Sequence, residues 1–123
     1  MTERARLLQA VNELEATIRE SFRLGDQDFN NNRQDALRLR RLITERMAEI
    51  SSLSDRCLDG SILHGQFRSA FSKMRSAMAF HHASWPIVAI DLESAEYTLS
   101  AAKLREATDS FILWVKTVLS RPD

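Results

Sequence analysis

The stretch that decides the fold is AFHHASWPIVAID, residues 79–91. It holds two adjacent histidines, a Trp-Pro step and a short uncharged apolar run. Pro86 has no amide proton to give a helix, and its ring pushes Trp85 toward extended geometry. A helix that reaches Trp85 therefore ends there. The stretch reads as a corner where one helix hands over to the next.

Working outward from this corner, Gly and Pro are scarce, 3 and 2 in 123 residues. Gly25, Gly60 and Pro86 divide the chain into four segments. Turning about 100° per residue, each segment gathers its apolar residues on one face. The first aligns Leu7, Leu8, Val11, Leu14, Ile18 and Phe22. The second aligns Phe29, Ala36, Leu39, Ile43, Met47, Ile50, Leu53 and Cys57. The third aligns Leu63, Phe67, Ala70, Phe71, Met74, Ala77, Met78, His81 and Trp85. The fourth aligns Tyr97, Ala101, Leu104, Phe111, Ile112, Val115, Val118 and Leu119. None shows the strict alternation of a half-buried strand. Thr2, Asp26 or Asp28, Ser61, and Asp91 or Ser94 stand where N-caps are needed, and Gly25 suits a left-handed C-cap.

The connections are short, which favours antiparallel neighbours. The sequence therefore predicts an all-α chain, an antiparallel up-down-up-down four-helix bundle in one domain over residues 1–123. Its helices fall at about 2–24, 28–58, 62–84 and 92–119, with the second starting anywhere from Asp28 to Arg33. Leu37, Ile62, Phe80, Leu99 and Leu113 are left outside the apolar faces. Glu15 and Arg46 are charges placed on them, and a direct Glu15–Arg46 pair does not fit the antiparallel register.

Hydrophobic residues make up 44% and charged residues 28%, and 17 cations balance 17 anions. That balance suits a folded domain and weighs against non-specific nucleic-acid binding, which needs a basic excess. Charges come early in MTERARLLQAVNE, so no signal peptide is expected, and no apolar stretch approaches the ~20 residues of a membrane span. Cys57 is the single cysteine, which rules out an internal disulfide and a Cys-rich zinc site. The expected setting is the cytoplasm.

Candidate site residues gather at one end and along one flank. His81, His82, Trp85 and Asp91 share the corner, where imidazoles and a carboxylate could bind a metal or polarise a substrate. The plainer expectation is that His81 is half-buried at the core edge, His82 is exposed, and Trp85 folds over the end of the bundle. Residues 87–90 then need shelter as well. Along the third helix His64, Arg68, Arg75 and His82 fall in one narrow band, and residues 60–90 contain no Asp or Glu. This band is a candidate docking stripe for an acidic partner or RNA, while the plainer expectation is a solvated helix edge salt-bridged to acidic rims of neighbouring helices. No ligand set for a metal is visible: Cys57 and His81 lie about 30 Å apart along the helix direction. No Glu-x-x-His pair is present either, so neither metal nor cofactor is expected.

Arg75 with His81 or His82 resembles the Arg-x(4–6)-His pattern of HEPN proteins, a family that includes metal-independent ribonucleases. That resemblance implies RNA cleavage by those residues. The segment SFRLGDQDFNNNRQDALRLRRLITERMAEI is loosely similar in composition to the first hairpin of flagellar export chaperones. FHHASWP lacks the following Lys of a histidine phosphotransfer helix. With no nucleophile constellation and no phosphate loop, the sequence points to a protein-interaction or regulatory module. It is expected to be a monomer or weak homodimer with a protein partner and no membrane. The alternative is the HEPN-like nuclease or toxin.

Overall fold

A computed structural model describes residues 2–26 and 29–119. Among the described residues every regular element is helical. They are α1 (Glu3–Asp26), α2 (Arg33–Cys57), α3 (Ile62–Ser84) and α4 (Ala95–Trp114). Two 3-10 turns, Phe29–Asn31 and Ile87–Ala89, precede α2 and α4, and a π-helical turn, Val115–Leu119, closes α4. The chain is thus all-α with four helices, as the periodicity predicts.

Helix ends follow local chemistry. The Thr2 hydroxyl accepts the Ala5 amide at 3.0 Å and caps α1. Ser94 accepts the Tyr97 amide at 3.3 Å, while Asp91 accepts the Glu93 amide at 3.0 Å in the turn before it. The fourth helix therefore starts at Ala95, three residues later than predicted, because Asp91 is spent on its own turn. Ser61 is not the predicted cap: its hydroxyl donates to the Leu58 carbonyl at 2.6 Å. Of the two cap candidates for α2, Asp28 lies outside the described residues and Asp26 ends α1. Asn32 precedes α2 instead, without a side-chain cap bond. Gly25 is likewise corrected, since it lies inside α1. The left-handed glycine is Gly60, with φ +76°, in the turn between α2 and α3.

Backbone proximity separates the chain into two compact units, residues 1–64 and 65–123, and each is described by itself. In the first, α1 and α2 run antiparallel. Leu7, Val11, Leu14, Ile43 and Ile50 are almost wholly buried. Arg46 lies within the apolar run of α2 and its Nη1 donates to Glu13 at 2.9 Å, which fixes how α1 and α2 slide past each other. Glu15 pairs with Arg19 on its own helix, so Glu15 and Arg46 stay apart, as expected. Arg46 Nε is buried without a partner, so the head is not simply lifted into water.

In the second unit α3 and α4 run antiparallel, shown by matched pairs along their length. Phe67 meets Phe111 and Trp114 at ring separations of 5.7 and 6.1 Å, and Phe71 meets Phe111 at 5.4 Å. At the other end Trp85 stands edge-on to Tyr97 at 5.3 Å. Phe67, Met74, Met78 and Phe111 are buried as the face predicts. Leu37, Ile62, Phe80, Leu99 and Leu113 are exposed, also as predicted, and Val88 and Leu92 join them.

Candidate functional site

The structure sorts the six candidate residues into two places. His81, His82, Trp85 and Asp91 lie at the corner where α3 passes through the turn Ile87–Ala89 into α4. Arg68 and Arg75 lie two turns apart on an exposed flank of α3.

At the corner the geometry differs from expectation. His81 is 5% exposed, so it is buried and not half-buried. Its Nδ1 lies 2.7 Å from the Ser100 hydroxyl, and its ring is 5.7 Å from Tyr97 and 6.1 Å from His82. A hydroxyl both donates and accepts, so it satisfies that nitrogen in either tautomer. His82 is half-buried, not exposed, because it turns toward the same arc as Phe71 and Met78. Trp85 is half-buried, with its ring against Tyr97. Asp91 is exposed and holds its own turn.

The shelter predicted for residues 87–90 is partial. Ile90 is buried and Ile87 half-buried, but Val88 is 87% exposed. A 3-10 turn sets successive side chains about 120° apart, so it cannot bury all three. Sequence reasoning missed Ser100. Its signal was there: it is a polar residue three after Tyr97 and four before Leu104, on the apolar face of α4.

The flank gives a second geometry. Arg68 and Arg75 are exposed, and Arg75 lies over the Phe71 ring at 5.4 Å. His64 keeps its place in the predicted band but is paired with Asp55 on α2, Nε2 to Oδ1 3.1 Å. Among the described residues Arg68, Lys73 and Arg75 form no salt bridge, and α3 has no carboxylate of its own to neutralise them. Between Arg68 and Lys73 the exposed positions Gly65, Ser69, Ser72, Ser76, Ala79 and Ala83 are all small, and exposed Ile62 and Phe80 border them on the Lys73 side. An ordinary solvated face carries Lys, Glu and Arg there.

Two further arrangements test chemistry. α3 is an unbroken α-helix through Arg75, His81 and His82. Six residues on, His81 is turned about 120° from Arg75, and His82 aligns with Arg75 but about 10.5 Å further along. A polar dent of about 210 Å³ lies between α1 and α2, lined by Glu20, Arg23, Asn32, Asp35 and Arg38 with two leucines. Its charges answer one another. The Arg23 guanidinium bonds Glu20 and, with Arg38, holds that carboxyl below its ordinary range. Among the described residues no group of three or more His, Cys, Asp or Glu could hold a metal ion. No helix described is long and apolar enough to cross a membrane. Compared with family models, curated proteins and solved structures, the chain matches none.

Proposed function

We propose that this protein is an interaction module that docks an acidic protein surface on the outer edge of α3. One observation carries the reading. Residues 60–90 have no Asp or Glu, and α3 sets Arg68 and Lys73, both exposed and outside any salt bridge among the described residues, on either side of a strip of small side chains. Small side chains let another backbone come close, and unpaired cations on both margins select a partner with carboxylates at its own margins. The corner around His81 supports this edge by ending α3 firmly, through the bond to Ser100 and the Trp85–Tyr97 contact.

The test is site-specific photocrosslinking in cells. A benzophenone side chain at Ser72 should give a defined protein adduct, and one at exposed Thr44 on α2 should not. Arg68→Glu with Lys73→Glu should remove the Ser72 adduct. No adduct at Ser72, or the same adducts from both positions, would sink the reading. The HEPN-like alternative makes a different prediction: RNA is cut in the presence of EDTA, and Arg75→Ala stops it. On the docking reading RNA stays intact with either protein.

A further inference from the structure

We propose that the acidic surface which the outer edge of α3 takes is the outer edge of α4 on a second copy of this chain, joined antiparallel and head to tail. This rests on the docking reading above and names its partner.

Four observations support it. First, α4 exposes its own strip, Leu99, Ala102, Glu106, Asp109 and Leu113, repeating at the three- and four-residue steps of the α3 strip. Second, the two acids of that strip are opposite in charge to Arg68 and Lys73, and Lys103, on the Glu106 margin, is the one exposed cation of α4. Glu106 and Asp109 are exposed and outside any salt bridge among the described residues, as Arg68 and Lys73 are. Third, the strips fit in one antiparallel register. It sets Gly65 against Leu113, Ser69 against Asp109, Ser72 against Glu106, Ser76 against Ala102, and Ala79 against Leu99. The larger side chain faces the smaller in nearly every pair. In that register Arg68 is within about 1.5 Å of the level of Asp109, and Lys73 within about 1.5 Å of the level of Glu106, on opposite margins. Fourth, Gly65 needs an external explanation. It sits in α3, and a Cβ there would meet nothing within 4 Å in this chain. Glycine at a helical position is less favourable than alanine, because its backbone loses more freedom on folding. Close approach by a second chain gives the missing side chain a use.

The geometry also sets the symmetry. Each strip is turned about 160° from the rings that join α3 to α4, so the two lie on opposite edges of the hairpin. A contact between unlike edges is heterologous and extends from copy to copy unless a rotation closes it into a ring. A two-fold pairing of α3 with α3 is disfavoured, because about the strip centre it sets Lys73 against Lys73, and Arg75 against Arg75, of the partner. The paired stretch, Gly65 to Ala79, is about 21 Å long, and at about 10 Å between helix axes the contact buries roughly 500–650 Å² in total. That lies below the ~1,200 Å² of stable complexes, so the association is weak and concentration-dependent.

Sedimentation equilibrium from about 10 μM to about 1 mM covers the affinity such an area supports. The wild-type weight-average mass should rise with concentration. Ser72→Trp, which fills the α3 strip, and Ala102→Trp, which fills the α4 strip, should each stay monomeric. Their equimolar mixture should form a dimer and nothing larger, because one good α3 edge and one good α4 edge remain. Should Ser72→Trp fold poorly by circular dichroism, charges give a second route. Lys73→Glu should weaken association, and Lys73→Glu with Glu106→Lys on the same chain should restore it. A wild-type protein that is monomeric throughout, or a mixture no more associated than its parts, overturns the proposal. A Ser72 photoadduct to a different acidic protein would then leave the docking reading standing and this one fallen.

Discussion

Phe67 is the residue whose loss most directly tests the packing of the second unit. It is wholly buried, and its ring meets Phe71, Phe111 and Trp114 at 5.6, 5.7 and 6.1 Å. Phe67→Ala removes roughly 100 Å² of buried apolar surface, worth about 2.5 kcal/mol at ~25 cal/mol per Å². The hole left, about 80 Å³ if nothing relaxes, adds about 2 kcal/mol at ~24 cal/mol per Å³. The expected loss is therefore about 4 kcal/mol, with relaxation lowering it and the lost ring edges raising it. Phe67→Leu keeps most of the volume and should cost about 1–1.5 kcal/mol. Urea melts followed by circular dichroism give both values, provided the slope with denaturant is unchanged. Trp114 supplies a local reading, since its emission should shift in Phe67→Ala even where the fold holds. A loss below 1 kcal/mol in Phe67→Ala, with unchanged Trp114 emission, would mean that the ring cluster does not hold α3 to α4 as described.

At the corner, His81→Ala should cost about 2 kcal/mol in the same melts, because it empties a buried site and strands the Ser100 hydroxyl, while His82→Ala stays within about 1 kcal/mol. Equal losses for the two would overturn the burial assigned here. Gly60→Ala should cost about 1–2 kcal/mol, since φ +76° is open to glycine and poorly open to alanine, and Ser94→Ala about 1 kcal/mol through its cap. For Cys57, burial first and Glu3 second push the thiol above its ordinary range, against a smaller opposing effect of Arg4. It should therefore react with a disulfide reagent more slowly than an unfolded chain does at pH 8, and catch up as pH rises. A raised folded-state value also means that its contribution to stability is complete below the unfolded thiol pKa and declines as pH rises through the folded one. Equal reaction rates for folded and unfolded chains at pH 8 would contradict that shift.

Periodicity made the helical faces legible because burial depends on side-chain direction, which turns regularly along a helix. Each apolar residue assigned to a face, from Leu7 to Leu119, is buried or half-buried. Caps were less legible, since several polar residues compete for one amide and the winner depends on the exact path of the turn. Asp91 and Ser94 both qualified, and only the 3-10 turn before them made Ser94 the cap of α4. The partner of His81 was illegible for a related reason. Ser100 follows from the register between two helices, and no single-helix pattern contains that register. The outer strips of α3 and α4 follow from the same spacing, but apolar periodicity reports only the inner face.

The division at residues 64 and 65 has a consequence in time. The partners that hold α1 to α2, such as Glu13 with Arg46, all lie within the first unit, which leaves the ribosome first. At about 5–20 residues per second, the second unit takes a further 3–12 s or so to be made. Helical hairpins with contacts this local form in microseconds to milliseconds. The α1–α2 pairing therefore has many opportunities to form and re-form before Phe111 has been added to the chain, and the register set by Arg46 is chosen without competition from α4.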